Sequence, residues 1–269
     1  MNLSVFKIFM KMVLRFLFSP LIKVVNRNNE KIWQGIERLN VISNLHQKTF
    51  KDYKGIYTGK DVVVIGAGPS VNKFKPIPNC IYVGLNSACK LKNVRFDYLF
   101  SIDKFGIDKI YSDFSSVNCI KFIGDQNLGP KYQIPESVIF NMGDIKRYMT
   151  DAGLYGGSKC ALHIESQPLG NYNSVALQAM QFVLYTNPRR VYLVGIDCSA
   201  LGHFHEDQGS VDELKHRVKE RKENLDRWAK ETLKAWKDIK DFANVYYPDT
   251  EIISINPVGL KGFFKDVYQ

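Results

Sequence analysis

From Asp61 onward, short apolar runs recur along the chain, each stopped by a glycine or a small polar residue. The clearest is Asp61-Val62-Val63-Val64-Ile65, which ends in Gly66-Ala67-Gly68-Pro69-Ser70. An unbroken β-branched run predicts a strand buried on both faces, as in a parallel sheet. Cys80 to Leu85 ends the same way at Asn86, Phe96 to Ile102 at Asp103, and Cys119 to Ile123 at Gly124. Arg190 to Val194 runs into Gly195-Ile196-Asp197, and Glu251 to Ile255 into Asn256. Helical periodicity fills the gaps. Ser174 to Tyr185 sets Val175, Ala179, Met180, Phe182 and Val183 at helical spacing, with Asn173 as its N-cap and a stop before Asn187-Pro188. Val211 to Ala243 carries apolar residues at three- and four-residue steps, a long amphipathic helix. The alternation predicts an α/β fold, a Rossmann-like, mostly parallel sheet flanked by helices, over residues 56–269. Open parallel sheets bind ligands beyond the carboxyl ends of their strands, so Gly66, Asn86, Asp103, Asp197 and Asn256 should ring one crevice.

Residues 1–55 read differently. Leu3 to Val25 is apolar except for Lys7, Lys11, Arg15 and Lys23, the first three spaced four apart on one helical face. The longest uncharged apolar stretch, Phe16 to Ile22, contains Pro20 and is far shorter than the roughly 20 residues of a spanning helix. The pattern predicts a basic amphipathic arm that lies on an anionic membrane surface. A helix that packs on the domain or on a second protomer is the alternative; a cleaved signal peptide fits poorly, because the apolar core is interrupted and no small-residue cleavage site follows.

Charge placement sharpens this division. The formal net charge is +10, from 37 Lys+Arg and 27 Asp+Glu. Residues 1–60 hold eleven basic and three acidic side chains, a net +8, which leaves +2 for the remaining 209. A basic arm on a nearly neutral body is not the footprint of a nucleic-acid binder. The helix over 211–241 mixes ten basic with eight acidic residues, so its field toward phosphate cancels. Five cysteines, 80, 89, 119, 160 and 198, include no C-x-x-C pair; neither a disulfide framework nor a zinc site is indicated, and a reducing compartment fits.

The candidate chemistry gathers at the strand ends. In Gly66-Ala67-Gly68-Pro69-Ser70 the glycines would let backbone amides approach an anion, and the Ser70 hydroxyl could cap the next turn or bind a phosphate oxygen. Asn72 and Lys73 occupy the place of the third glycine of the dinucleotide pattern, and no Gly-Lys-Ser/Thr follows as in Walker A.

The succession VVVIGAGPSV, VGLNSA, FDYLFSID, SVALQAMQFVLY, RVYLVGID and ISINPVGLKGFF resembles the bacterial family-42 sialyltransferases over about residues 61–264. It is similar also to the related group that holds motility accessory factors and the archaeal hydroxymethylpterin pyrophosphokinase. The sialyltransferase resemblance implies a CMP-activated acidic sugar as donor, a metal-independent inverting transfer, no cofactor and a histidine general base. The family's Gly-Asn-Gly-Pro-Ser loop has Ala67 here in place of Asn. Its Asn after the second strand corresponds to Asn86, its Thr-Ser-Gly turn to Asn173-Ser174-Val175, and its Gly-Ile-Asp to Gly195-Ile196-Asp197. Cys198 and Ser199 stand where the family's tyrosine pair steadies the departing phosphate.

Read from the residues alone, sugar transfer needs a group near neutrality to take the acceptor's proton, and histidine suits it. His203 and His205, in Leu201-Gly202-His203-Phe204-His205-Glu206-Asp207, follow Asp197 within ten residues and form the natural lid, with His203 favoured. His46 lies in the arm, His163 in a loop before Pro168 and His216 inside the charged helix. An exposed polar loop, or a metal site of His203, His205 and Asp207, are the other readings of that lid.

The expectation is therefore a glycosyltransferase, cytoplasmic and peripheral on the inner face of a bacterial membrane. His203, His205 and Asp197 would be its catalytic residues, and Gly66, Ala67, Gly68, Ser70, Asn86, Asp103, Asn173, Ser174, Gly195 and Asn256 its donor site. Its partners would be a nucleotide-sugar donor, a surface-glycan or lipid-linked acceptor and an anionic membrane, with no nucleic acid. The rivals are a pterin-type pyrophosphokinase using ATP and Mg²⁺ held by Asp103 and Asp197, and a non-catalytic nucleotide-binding scaffold of glycan assembly.

Overall fold

The computed structural model describes residues 3–102, 104–125, 135–151, 159–172, 174–198, 204 and 230–269; at 3–9, 12–18, 21–22, 104–106 and 140 it describes the backbone alone. Eight strands are present: β1 (Asp61–Ile65), β2 (Cys80–Leu85), β3 (Tyr98–Ser101), β4 (Ile120–Asp125), β5 (Ile145–Met149), β6 (Arg190–Val194), β7 (Glu251–Ile255) and β8 (Lys265–Val267). They form one sheet in the order β5-β4-β3-β2-β1-β6-β7-β8, with every neighbouring pair parallel. This is the Rossmann-like architecture that the apolar runs predict.

All six runs form strands, four of them with the expected bounds. The run Phe96 to Ile102 is strand only over Tyr98–Ser101, and Cys119 to Ile123 shifts to Ile120–Asp125. The pattern does not announce β5 and β8. Both lie at sheet edges, where a strand needs less apolar surface and carries polar residues such as Lys146, Arg147, Lys265 and Asp266.

Successive residues of β1 face opposite sides. Val62 and Val64 enter one core cluster, Val63 and Ile65 the other. The first face is covered by α4 (Val175–Tyr185), buried along its whole length. Its Phe182 meets Phe122 at 4.8 Å, and Phe122 stacks on Phe100 at 4.5 Å between ring centroids. Helix α5, residues 230–246, adds Trp236 and Ile239 to that core and so meets the second half of the predicted long helix; residues 211–229 lie outside the described residues. The second face receives Ile107, Ile110 and Phe114 of α2 (Lys104–Ser116) and Ile139 of the short α3 (Glu136–Phe140).

Helix α1 runs unbroken from Leu3 to Phe50 through Pro20. Its last turns belong to the domain, with Ile42, His46, Thr49 and Phe50 buried. His46 Nε2 accepts the Met149 N–H at 2.8 Å, its Nδ1–H donates to the Ile164 carbonyl at 2.7 Å, and the Thr49 hydroxyl donates to the Arg147 carbonyl at 2.6 Å. The step from His46 to Thr49 therefore runs back from Met149 to Arg147, so α1 lies antiparallel to β5. Its N-terminal part leaves the domain past the carboxyl edge of the sheet, the edge that carries the strand-end residues. Every residue from 23 to 41 is exposed. Among the described residues, no helix is long and apolar enough to cross a membrane.

Candidate active site

The chain lays β1 to β5 outward in one direction, then returns to place β6 on the free side of β1. The connections diverge at the carboxyl ends of β1 and β6, the switch point where open α/β sheets bind ligands. Both ends carry glycine for the same steric reason. A Cβ on Gly66 would lie 2.5 Å from the Gly195 carbonyl oxygen, and one on Gly195, whose φ is +63°, would lie 2.9 Å from the Gly66 carbonyl oxygen. Two strand ends thus touch backbone to backbone.

Asp197 completes the clasp. It is 5% exposed; its Oδ2 accepts the Ser70 amide at 2.9 Å and its Oδ1 accepts the Ser70 hydroxyl. A Cβ on Gly68 would lie 2.4 Å from the Asp197 carboxyl carbon. The Gly66 N–H donates to Val194 and the Gly68 N–H to Gly195, each at 2.8 Å.

The glycine loop makes much of its hydrogen bonding within the protein. The amides of Gly66, Gly68 and Ser70 are engaged inside the protein, Pro69 has none, and the Ala67 amide makes no hydrogen bond to the described residues. The loop also enters a five-residue 3₁₀ turn, Pro69–Lys73, and not a helix whose dipole could hold a phosphate. Gly66 has no room for a side chain against Gly195, and Gly68 none against Asp197. Asp197, expected among the catalytic residues, has both oxygens engaged by Ser70.

Asn86 and Asn256 end β2 and β7 in the left-handed region, with φ of +46° and +49°, where asparagine is tolerated better than most residues. Asn86 Oδ1 accepts the Ser101 hydroxyl at 2.8 Å, so this residue turns toward β3. Asn256 Oδ1 accepts the Gln269 N–H at 2.9 Å. Its Nδ2 and the Ser254 Oγ are buried without a hydrogen-bond partner among the described residues, and both residues line a narrow cleft with Ser70, Ile196 and Asp197.

Helix α4 starts on the same edge. Its N-cap is Ser174, without a side-chain capping bond, in place of the predicted Asn173, which lies outside the described residues. The preceding loop is held by two buried glutamines that sequence reading missed. Gln181 accepts the Ala161 and Gly170 amides at 2.9 Å and donates to the Gly170 carbonyl at 3.1 Å. Gln178 accepts the Tyr148 hydroxyl at 2.7 Å and donates to the Asn171 carbonyl at 3.1 Å. The signal was there: two amides three apart in an otherwise apolar helix have to be satisfied internally. Cys198 is held neutral, since burial pushes its thiol up to about 12.

His203, His205, Asp103 and Ser199 lie outside the described residues. Phe204, the residue between the two histidines, is described: its N–H donates to the Ala67 carbonyl at 2.8 Å, and it packs on the cluster that contains Val71 and Phe74. His46 is a tether of α1, with burial holding its pKa below the ordinary value. His163 is exposed, with its Nδ1 3.5 Å from Glu165. Among the described residues, no three His, Cys, Asp or Glu side chains converge.

No protein-family model and no curated protein matches the sequence. Among solved structures, the chain is similar to the sialyltransferase CstII from Campylobacter jejuni in complex with the substrate analogue CMP-3FNeuAc. The identity is 12% and the TM-score 0.39, over 72% of this chain and 80% of that one. It is similar also to the sialyltransferase CST-II in complex with a trisaccharide acceptor and CMP, at 12% identity and a TM-score of 0.42 over the same shares. A likeness of this size assigns no residue a role.

Proposed function

We propose that this protein is a glycosyltransferase that moves an acidic sugar from a CMP-activated donor to a surface-glycan or lipid-linked acceptor, with inversion and without a metal ion. The observation that carries the reading is the Phe204 amide bonded to the Ala67 carbonyl at the switch point. It ties the residue between His203 and His205 to the glycine loop, so the two candidate bases are chain neighbours of a residue seated on the donor-side loop. The clasp of Ser70 by Asp197 fixes the loop's shape.

In the reaction, the acceptor oxygen attacks the anomeric carbon while a histidine of the lid, His203 or His205, takes the hydroxyl proton. The bond from the anomeric carbon to the phosphate oxygen breaks and its electron pair departs with CMP. A single displacement inverts the configuration. Residues 1–17, basic and aromatic, would keep the enzyme peripheral on the inner face of the membrane where a lipid-linked acceptor resides. The departure of α1 from the sheet's carboxyl edge supports this, because it puts arm and candidate site on one side of the domain.

The test is CMP release from CMP-linked acidic sugars, with and without a glycan acceptor, in EDTA and in Mg²⁺. The proposal expects acceptor-dependent release unaffected by EDTA. Thermal stabilisation by ATP with Mg²⁺, and none by CMP, would assign the site to pyrophosphate transfer instead.

A further inference from the structure

We infer that α1 pairs with the α1 of a second copy of this chain as a parallel two-stranded coiled coil. Over residues 23–41 the helix is exposed at every position. It also contains Gly35 and the asparagines 26, 28, 29 and 40, all poor helix formers. A helix of this composition is marginal in water unless something covers it.

The seam is visible in the side chains. Val25, Asn29, Ile32, Ile36 and Leu39 follow one another at alternating steps of four and three, and in sequence Phe18 and Ile22 continue the series toward the N-terminus. The next step beyond Leu39 falls on Ser43, so the apolar series ends where the burial of Ile42 marks the entry of α1 into its own domain. Val25, Ile32, Ile36 and Leu39 are 49, 58, 42 and 54% exposed, too much for residues that sit on one stripe of a finished surface. In heptad terms Ile22, Asn29 and Ile36 are a positions and Phe18, Val25, Ile32 and Leu39 are d positions.

Charge placement selects a second copy as the occupant. Lys23, Arg27, Glu30, Lys31, Glu37 and Arg38 all fall at b, c or f, on the outer face. The flanking e and g positions, Asn26, Asn28, Trp33, Gly35 and Asn40, carry no charge, so two identical helices meet without like-charge contact. Asn29 selects the parallel arrangement. A lone amide in an apolar seam is satisfied when it faces its own twin, which only the parallel in-register pair provides; on a lipid surface the same amide would sit in the middle of the apolar face.

The protein should sediment as a dimer at micromolar concentration, and Ile32→Asp/Ile36→Asp should shift it to monomer with the circular dichroism of the domain retained. Val25→Cys should cross-link to a disulfide dimer on a non-reducing gel, whereas Glu30→Cys, on the outer face, should not. A monomeric wild-type protein would overturn the inference. So would a dimer that survives the double substitution, which would place the contact elsewhere. Loss of binding to vesicles of anionic phospholipid in the double variant, with no change in oligomeric state, would identify the stripe as a membrane face and overturn it equally.

Discussion

Asp197 and Ser70 are 127 residues apart in sequence, yet one carboxylate receives both the amide and the hydroxyl of that serine. The pair closes the switch point between β1 and β6.

Asp197→Asn keeps the volume but loses the charge and one acceptor. It should lower stability by about 1–3 kcal/mol, the cost of breaking hydrogen bonds to a buried charged group. Gly68→Ala should be at least as damaging, because its Cβ meets the Asp197 carboxyl. Denaturant melts of the two variants and of the double variant check this. If they are additive, the contact does not couple the two sites.

His203→Ala and His205→Ala test the base. One of them should lower kcat by about 10²- to 10⁴-fold while donor binding stays near wild type. Near-normal turnover in both across pH 5 to 9 would remove the histidine mechanism.

His46 makes stability depend on pH. Its folded pKa lies below the ordinary value because burial penalises the cation, and its Nε2 accepts the Met149 amide as a neutral ring. Below about pH 6.5 the unfolded chain therefore binds a proton that the folded one refuses, and stability falls as the pH drops through that window. The melting temperature of wild type should drop more between pH 7.5 and 5.5 than that of His46→Phe, which starts lower but lacks this proton. Equal drops would show that His46 does not govern the acid limb.

The arm can be tested apart from the seam. Lys7→Glu/Lys11→Glu/Arg15→Glu should weaken sedimentation with anionic vesicles by at least tenfold, since each basic residue near such a surface is worth about 1 kcal/mol. The dimer should persist. Undiminished binding would mean that charge in this segment does not hold the protein to lipid.

Local signals in the sequence determined much of this protein. Four of the eight strands carry their bounds in apolar runs, because central strands buried on both faces cannot hide their composition. The strand-end residues Gly66, Asn86, Gly195, Asp197 and Asn256 were legible for the same reason: a chain leaving a buried strand has to turn, and few residue types allow the turn. What these residues do there was decided only by tertiary contact. Gly66 and Gly68 read as a loop for a phosphate, and the return of β6 against β1 gives a second reason for glycine there, because Gly195 and Asp197 occupy the space that a side chain would take. The arm divides in the same way. Its apolar and basic periodicity shows a helix, while the burial of His46 and Phe50 and the exposure of every residue from 23 to 41 depend on where the edge of the sheet ends. Periodicity reports which face of an element is apolar, and contact between elements distant in sequence decides which face is covered.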